Sequence, residues 1–204
     1  MSARTTERKP WPMKWIVVAI LAFIVPYTYL TLTFRKPGKA FEPYQDMKDR
    51  ANVLRLLSAG YQRVPSDLER PADAPRPTLS AVTSAAAAGL PPELKATLIQ
   101  TPMLPQEIAT VRAPAIVNAG SAYPVDFTCT LGDNKREPSG AAAYIHGDEI
   151  VILPNFEHLA DGLMSRSRDS RLRVTIPASV LKAGSYHVTL VGEHASRSWT
   201  LQVH

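Results

Sequence analysis

"AYPVDFTCTL", residues 122 to 131, alternates strictly. Tyr123, Val125, Phe127, Cys129 and Leu131 fall on one face of an extended chain, and Pro124, Asp126, Thr128 and Thr130 on the other. A period of two marks a strand with one buried and one solvated face, because successive side chains leave opposite sides of the pleat. The pattern recurs downstream. "RLRVTI" groups Leu172, Val174 and Ile176; "SYHVTLVG" groups Tyr186, Val188 and Leu190; "SWTLQV" groups Trp199, Leu201 and Val203. "DEIVILP" is a shorter candidate. Strands at this spacing, with turn residues between them, predict a mainly β antiparallel sandwich over residues 107 to 204.

Within it, "LKAGSY" places Leu181, Gly184 and Tyr186 at Leu-x-x-Gly-x-Tyr spacing. This resembles the tyrosine corner of immunoglobulin-like and fibronectin-type domains. The resemblance implies an immunoglobulin-like β-sandwich in which the Tyr186 hydroxyl bonds back to nearby backbone. Where such domains have a second cysteine, this chain offers Val188, so Cys129 is expected to be a small buried hydrophobe.

Upstream, "WIVVAILAFIVPYTYLTLTF" (15–34) holds no charge and is long enough to cross about 30 Å of hydrocarbon as a helix. It is expected to be a retained anchor, because "TFRKPGKAFEP" suits signal cleavage poorly. Basic residues are nearly balanced across it. The expected topology is a short cytoplasmic tail (1–14) and a periplasmic carboxyl-terminal domain in a bacterial inner membrane, since long domains translocate largely regardless of charge. Pro26, Tyr27, Thr28 and Thr31 lie in its second half. Two readings stand side by side: threonine hydroxyls bonded to their own helix, or a polar stripe that meets a partner helix.

Residues 43–60 read as an amphipathic helix opened by Pro43 and closed by Gly60. Tyr44, Met47, Ala51, Leu54, Ser58 and Tyr61 recur at three- and four-residue steps, widened by Val53, Leu56 and Leu57. The apolar face covers the protein's own globular domain, a partner helix or the bilayer surface, and mixed charges on the other side favour protein contact over lipid. Residues 61–106, punctuated by prolines and "SAAAAG", read as a Pro/Ala-rich linker with a short helical turn beginning at Pro92.

The formal charge of +5 is not gathered in a nucleic-acid-binding module, so nucleic acid is not an expected partner. One cysteine excludes an intramolecular disulfide, and there is no C-x-x-C or Cys/His zinc spacing. "YIHGDE" brings His146, Asp148 and Glu149 close in sequence, but a hairpin turn explains it as well as a metal site does. No nucleophile elbow or phosphate-cradling glycine loop is present, and neither catalytic residues nor a cofactor is expected.

The expected role is therefore non-enzymatic. One reading is an accessory or assembly subunit that meets an integral membrane partner through Pro26, Tyr27, Thr28, Thr31, Tyr44, Met47, Ala51, Leu54 and Tyr61, in contact with the lipid bilayer. In organisation, and in the Lys9–Pro12 approach to the membrane, the chain resembles FixH-type assembly factors, which implies a respiratory (cytochrome) oxidase as the partner. The other reading is a tethered binding module for a soluble or cell-envelope ligand.

Overall fold

A computed structural model describes residues 12–33, 45–71, 80–160 and 162–204. The chain divides into two compact units, Met1–Gln45 and Asp46–His204. Most of the expected tail, and Tyr44, lie outside the described residues.

In the first unit, helix α1 spans Met13–Thr33 with Pro26 inside it. By length and composition it is able to cross a membrane. In the second unit, helix α2 (Gln45–Ser58) ends at Gly60, whose φ of 80° is open to a glycine at little cost. Gly60 N–H donates to the Leu57 carbonyl and Tyr61 N–H to the Leu56 carbonyl, the paired bonds of a Schellman cap. Leu56 and Tyr61 are also buried in one cluster, the apolar contact that accompanies such a cap.

The remaining elements are β1 (Gln62–Glu69), β2 (Ser84–Ala86), α3 (Pro92–Thr97), β3 (Glu107–Arg112), β4 (Ile116–Val117), β5 (Tyr123–Thr130), β6 (Arg136–His146), β7 (Glu149–His158), β8 (Asp169–Ile176), β9 (Gly184–Leu190) and β10 (Ser196–Val203). They form one sheet in the order β2-β10-β9-β7-β6-β1-β8-β5-β3, with β4 beside β10. The sheet curls into a half-barrel.

β1 is the hinge of the curl. Its residues Gln62 to Ser66 pair with β6, and Asp67 to Glu69 pair with β8. Pro65, which has no N–H, sits just before the strand exchanges neighbours, where a missing ladder bond costs least. At the opposite margin the walls are sewn together. Ile108 N–H donates to the Ala195 carbonyl at 3.0 Å, and the Arg197 guanidinium donates to the Ile108 and Ala109 carbonyls at 3.2 Å each. These bonds occupy part of an edge that would otherwise be open to another strand.

The core lies inside the curl. β5 shows the expected alternation, with Tyr123, Val125, Phe127 and Cys129 buried, and β8, β9 and β10 add Leu172, Val174, Val188, Leu190, Trp199 and Leu201. β7 is apolar on both faces. Ile150, Ile152 and Phe156 point into this core, whereas Val151 and Leu153 join a second cluster with Leu56, Tyr61, Leu94, Leu104, Tyr144 and Val191. A continuous apolar run is what a doubly covered strand requires, and α2 with the segment around α3 supplies the outer cover.

Two expectations are corrected. The linker expected over 61–106 contains β1, β2 and α3, and it buries Val64, Leu94 and Leu104. The folded domain therefore begins at α2. Pro92 stands in the first turn of α3, where the backbone needs no donor. The wholly antiparallel sandwich also gives way, because β7 pairs with β9 in parallel and β4 with β10 in parallel. The strand beside β9 is the second arm of the β6–β7 hairpin.

Candidate partner-binding surface

On α1, Pro26, Tyr27, Thr28 and Thr31 are exposed. Pro26 deprives the Ala22 carbonyl of its i+4 donor, which bends a helix. The Thr31 hydroxyl lies 2.9 Å from the Tyr27 carbonyl and 3.0 Å from that of Thr28, and Thr33 donates to Tyr29. Hydroxyls folded onto their own helix in this way need no partner to satisfy them. The exposed ring of Tyr27 remains available for contact.

α2 presents a different face from the one its periodicity suggests. It meets the sheet along a narrow line, where Leu56 is 1% exposed and Asn52 is half-buried. Asn52 Oδ1 accepts the Ile99 N–H at 3.3 Å, and Arg55 donates to the Ala96 carbonyl at 2.9 Å. Leu54 lies almost opposite Leu56 on the helix wheel and is 67% exposed, with Val53 and Leu57 exposed beside it. Ala51 is exposed as well, and Met47 belongs to the helix although its side chain lies outside the described residues.

Tyr61 is corrected as a partner contact. It is 5% exposed, and its ring lies 4.9 Å from that of His146. Burial raises its pKa above 10.0, and the nearby carboxylates of Glu93 and Glu149 add to the rise. Sequence period alone grouped Tyr61 with Leu54. The helix ends at Ser58, however, and the Gly60 cap turns the chain inward before Tyr61.

Between α2, the segment 98–103 and the β6–β7 hairpin lies a cleft of about 470 Å³. Its walls include Asn52, Arg63, Gln100, Tyr144 and Asn155. Asn155 Oδ1 accepts the Met103 N–H at 3.1 Å, and its Nδ2 donates to Ser139 at 3.0 Å. Burial raises the Tyr144 pKa, and the hydrogen-bonded Arg63 guanidinium draws it partly back. Nothing in the sequence announces this cleft, because Arg63 and Tyr144 become neighbours only through the β1–β6 register.

Elsewhere, His146 lies against Tyr61, and the Asp148 carbonyl accepts the His187 N–H at 2.8 Å. Among the described residues, no three His, Cys, Asp or Glu side chains gather so as to hold a metal ion. Cys129 is buried, its thiol 3.6 Å from the Ser170 carbonyl. Burial, then the Asp169 carboxylate, pushes its pKa from 9.0 up to about 12. Compared with known protein families, curated proteins and solved structures, the chain matches none of them.

Proposed function

We propose that the chain is a non-enzymatic, membrane-anchored accessory or assembly subunit of a membrane protein complex, with a bacterial respiratory oxidase as the first candidate. α1 spans the inner membrane, the amino terminus is cytoplasmic and the β domain is periplasmic. The observation that carries the reading is the exposed apolar group Val53, Leu54 and Leu57 on α2. A helix that already buries Leu56 against its own sheet has no internal use for a second apolar face. Such faces are the usual anchors for a partner's groove or helix. The Tyr186 hydroxyl, which donates to the Lys182 carbonyl at 3.1 Å, supports a local tyrosine corner and with it the immunoglobulin-like resemblance.

A photo-crosslinking residue in place of Leu54, in cells that make the full chain, tests this reading. A crosslink to an integral membrane protein is the expected result. Crosslinks to lipid or to soluble proteins alone would sink it.

The second reading, a tethered binding module, is favoured by the cleft around Arg63 and Asn155. Replacing residues 15–34 with a neutral Leu/Ala anchor separates the two. The module keeps its function with any leash, whereas the docking subunit loses it.

A further inference from the structure

Two loops at one end of the β domain are tied into a single cap. Leu159 N–H donates to the Lys135 carbonyl at 2.8 Å, Ser165 N–H to that of Asn134 at 2.7 Å, and Leu131 N–H to that of Arg168 at 2.9 Å. The Asn134 side chain also reaches the Met164 sulfur at 3.6 Å. Despite this bonding, the cap holds out two adjacent apolar side chains, Leu163 at 59% and Met164 at 64% exposure. Lys135, Arg166 and Arg168 are exposed around them. By sequence, residues 131–136 and 159–171 contain five cations (Lys135, Arg136, Arg166, Arg168, Arg171) against three carboxylates (Asp133, Asp161, Asp169), and the adjoining ends of β6 and β7 add Glu137 and Glu157, which face each other behind the Arg136–His158 pair. Asp133 is bound by Arg136 at 3.1 Å.

We infer that this cap rests on an anionic phospholipid surface, with Leu163 and Met164 entering the headgroup layer and the cations on lipid phosphates. The inference rests on the membrane-anchored reading above. Apolar residues rimmed by Lys and Arg are the chemistry by which a protein lies on an anionic interface. Two side chains on a loop offer far less area than the roughly 1,200 Å² at which stable protein interfaces begin, so lipid is the better match than a protein partner.

The course of the chain agrees. The β6–β7 hairpin turns at Gly147, next to His146, whose ring lies against Gly60 and Tyr61, and it opens toward the cap, where Arg136 pairs with His158. From Tyr61, α2 runs back along this hairpin, and Asn52 already lines a cleft with Ser139 and Asn155. Its first residue, Gln45, lies about 10 Å further along the same direction at 1.5 Å per residue. The chain thus comes into the domain from the cap's end.

The test uses the full chain in vesicles of phosphatidylcholine, with or without phosphatidylglycerol. An environment-sensitive fluorophore is attached through Leu163→Cys, or through Lys182→Cys as a control outside the cap, with the unsubstituted chain as the blank for buried Cys129. Brominated lipids are expected to quench the probe at 163 several-fold more than at 182. The effect should require phosphatidylglycerol and disappear when Arg166→Ser and Arg168→Ser are combined. If the chain resists alkaline carbonate extraction but the probe at 163 is quenched no more than the control, the lipid contact is wrong while the anchor stands. A probe shielded from both lipid and aqueous quenchers indicates a protein contact and overturns the assignment. Release of the chain by carbonate overturns the membrane reading and this inference with it.

Discussion

Trp199 donates its indole N–H to the Tyr123 hydroxyl at 2.8 Å, and that hydroxyl lies 3.0 Å from the Pro114 carbonyl it donates to. Two large buried side chains from β10 and β5, on opposite walls of the curl, thereby satisfy each other's polar atoms. Tyr123→Phe would leave the Trp199 donor buried without its acceptor, a loss of about 1–3 kcal/mol. Tyr186→Phe removes a more exposed hydroxyl and should cost less, about 0.5–1.5 kcal/mol. Denaturant unfolding of the full chain in detergent compares the two. A larger loss from Tyr186→Phe would contradict the assignment.

Leu54 and Leu56 are two residues apart and make opposite predictions. Leu56→Ala opens a cavity under α2 and should destabilise the domain by about 2–5 kcal/mol. Leu54→Asp, on the exposed side, should leave stability within about 0.5 kcal/mol while abolishing recovery of the partner complex. Melting curves and affinity purification from membranes report the two quantities separately. If Leu54→Asp unfolds the domain, the exposed face has been misassigned.

Gly192 closes the sewn margin. A Cβ there would collide with the Ala195 carbonyl oxygen, the backbone that the seam uses through Ile108. Gly192→Ala should therefore cost about 1–3 kcal/mol and speed hydrogen exchange at the Ile108 amide. Unchanged protection of that amide would show that the seam does not depend on this approach.

Cys129 carries a pH prediction. Its folded pKa is raised from 9.0 to about 12, so folding favours the protonated thiol. That contribution is complete below pH 9.0 and is lost as pH rises toward about 12. Iodoacetamide should leave the folded chain unmodified at pH 9 and modify it readily in denaturant. Equal rates in both states would show the thiol to be accessible.

Much of the fold was legible because burial writes a period into the chain. Alternation marked β5, β8, β9 and β10, the uncharged run marked α1, and Gly60 marked the end of α2. β1 and β6 were not legible. "QRVPSDLE" and "REPSGAAAYIH" contain proline, glycine and alanine, which disfavour strands locally, and they are strands because neighbours on both sides supply ladder bonds and cover. The candidate surface divides in the same way. Residue types pointed to α1 and α2 as candidates, but which side of α2 faces outward could not be read from them. A stripe containing both Leu54 and Leu56 nearly encircles the helix, and periodicity states only that some apolar side must be covered. Tertiary structure chose Leu56, because the Gly60 cap joins α2 to β1 at one fixed angle and brings Leu56 and Tyr61 together over Tyr144 and Leu153. Leu54 was left outside as a consequence.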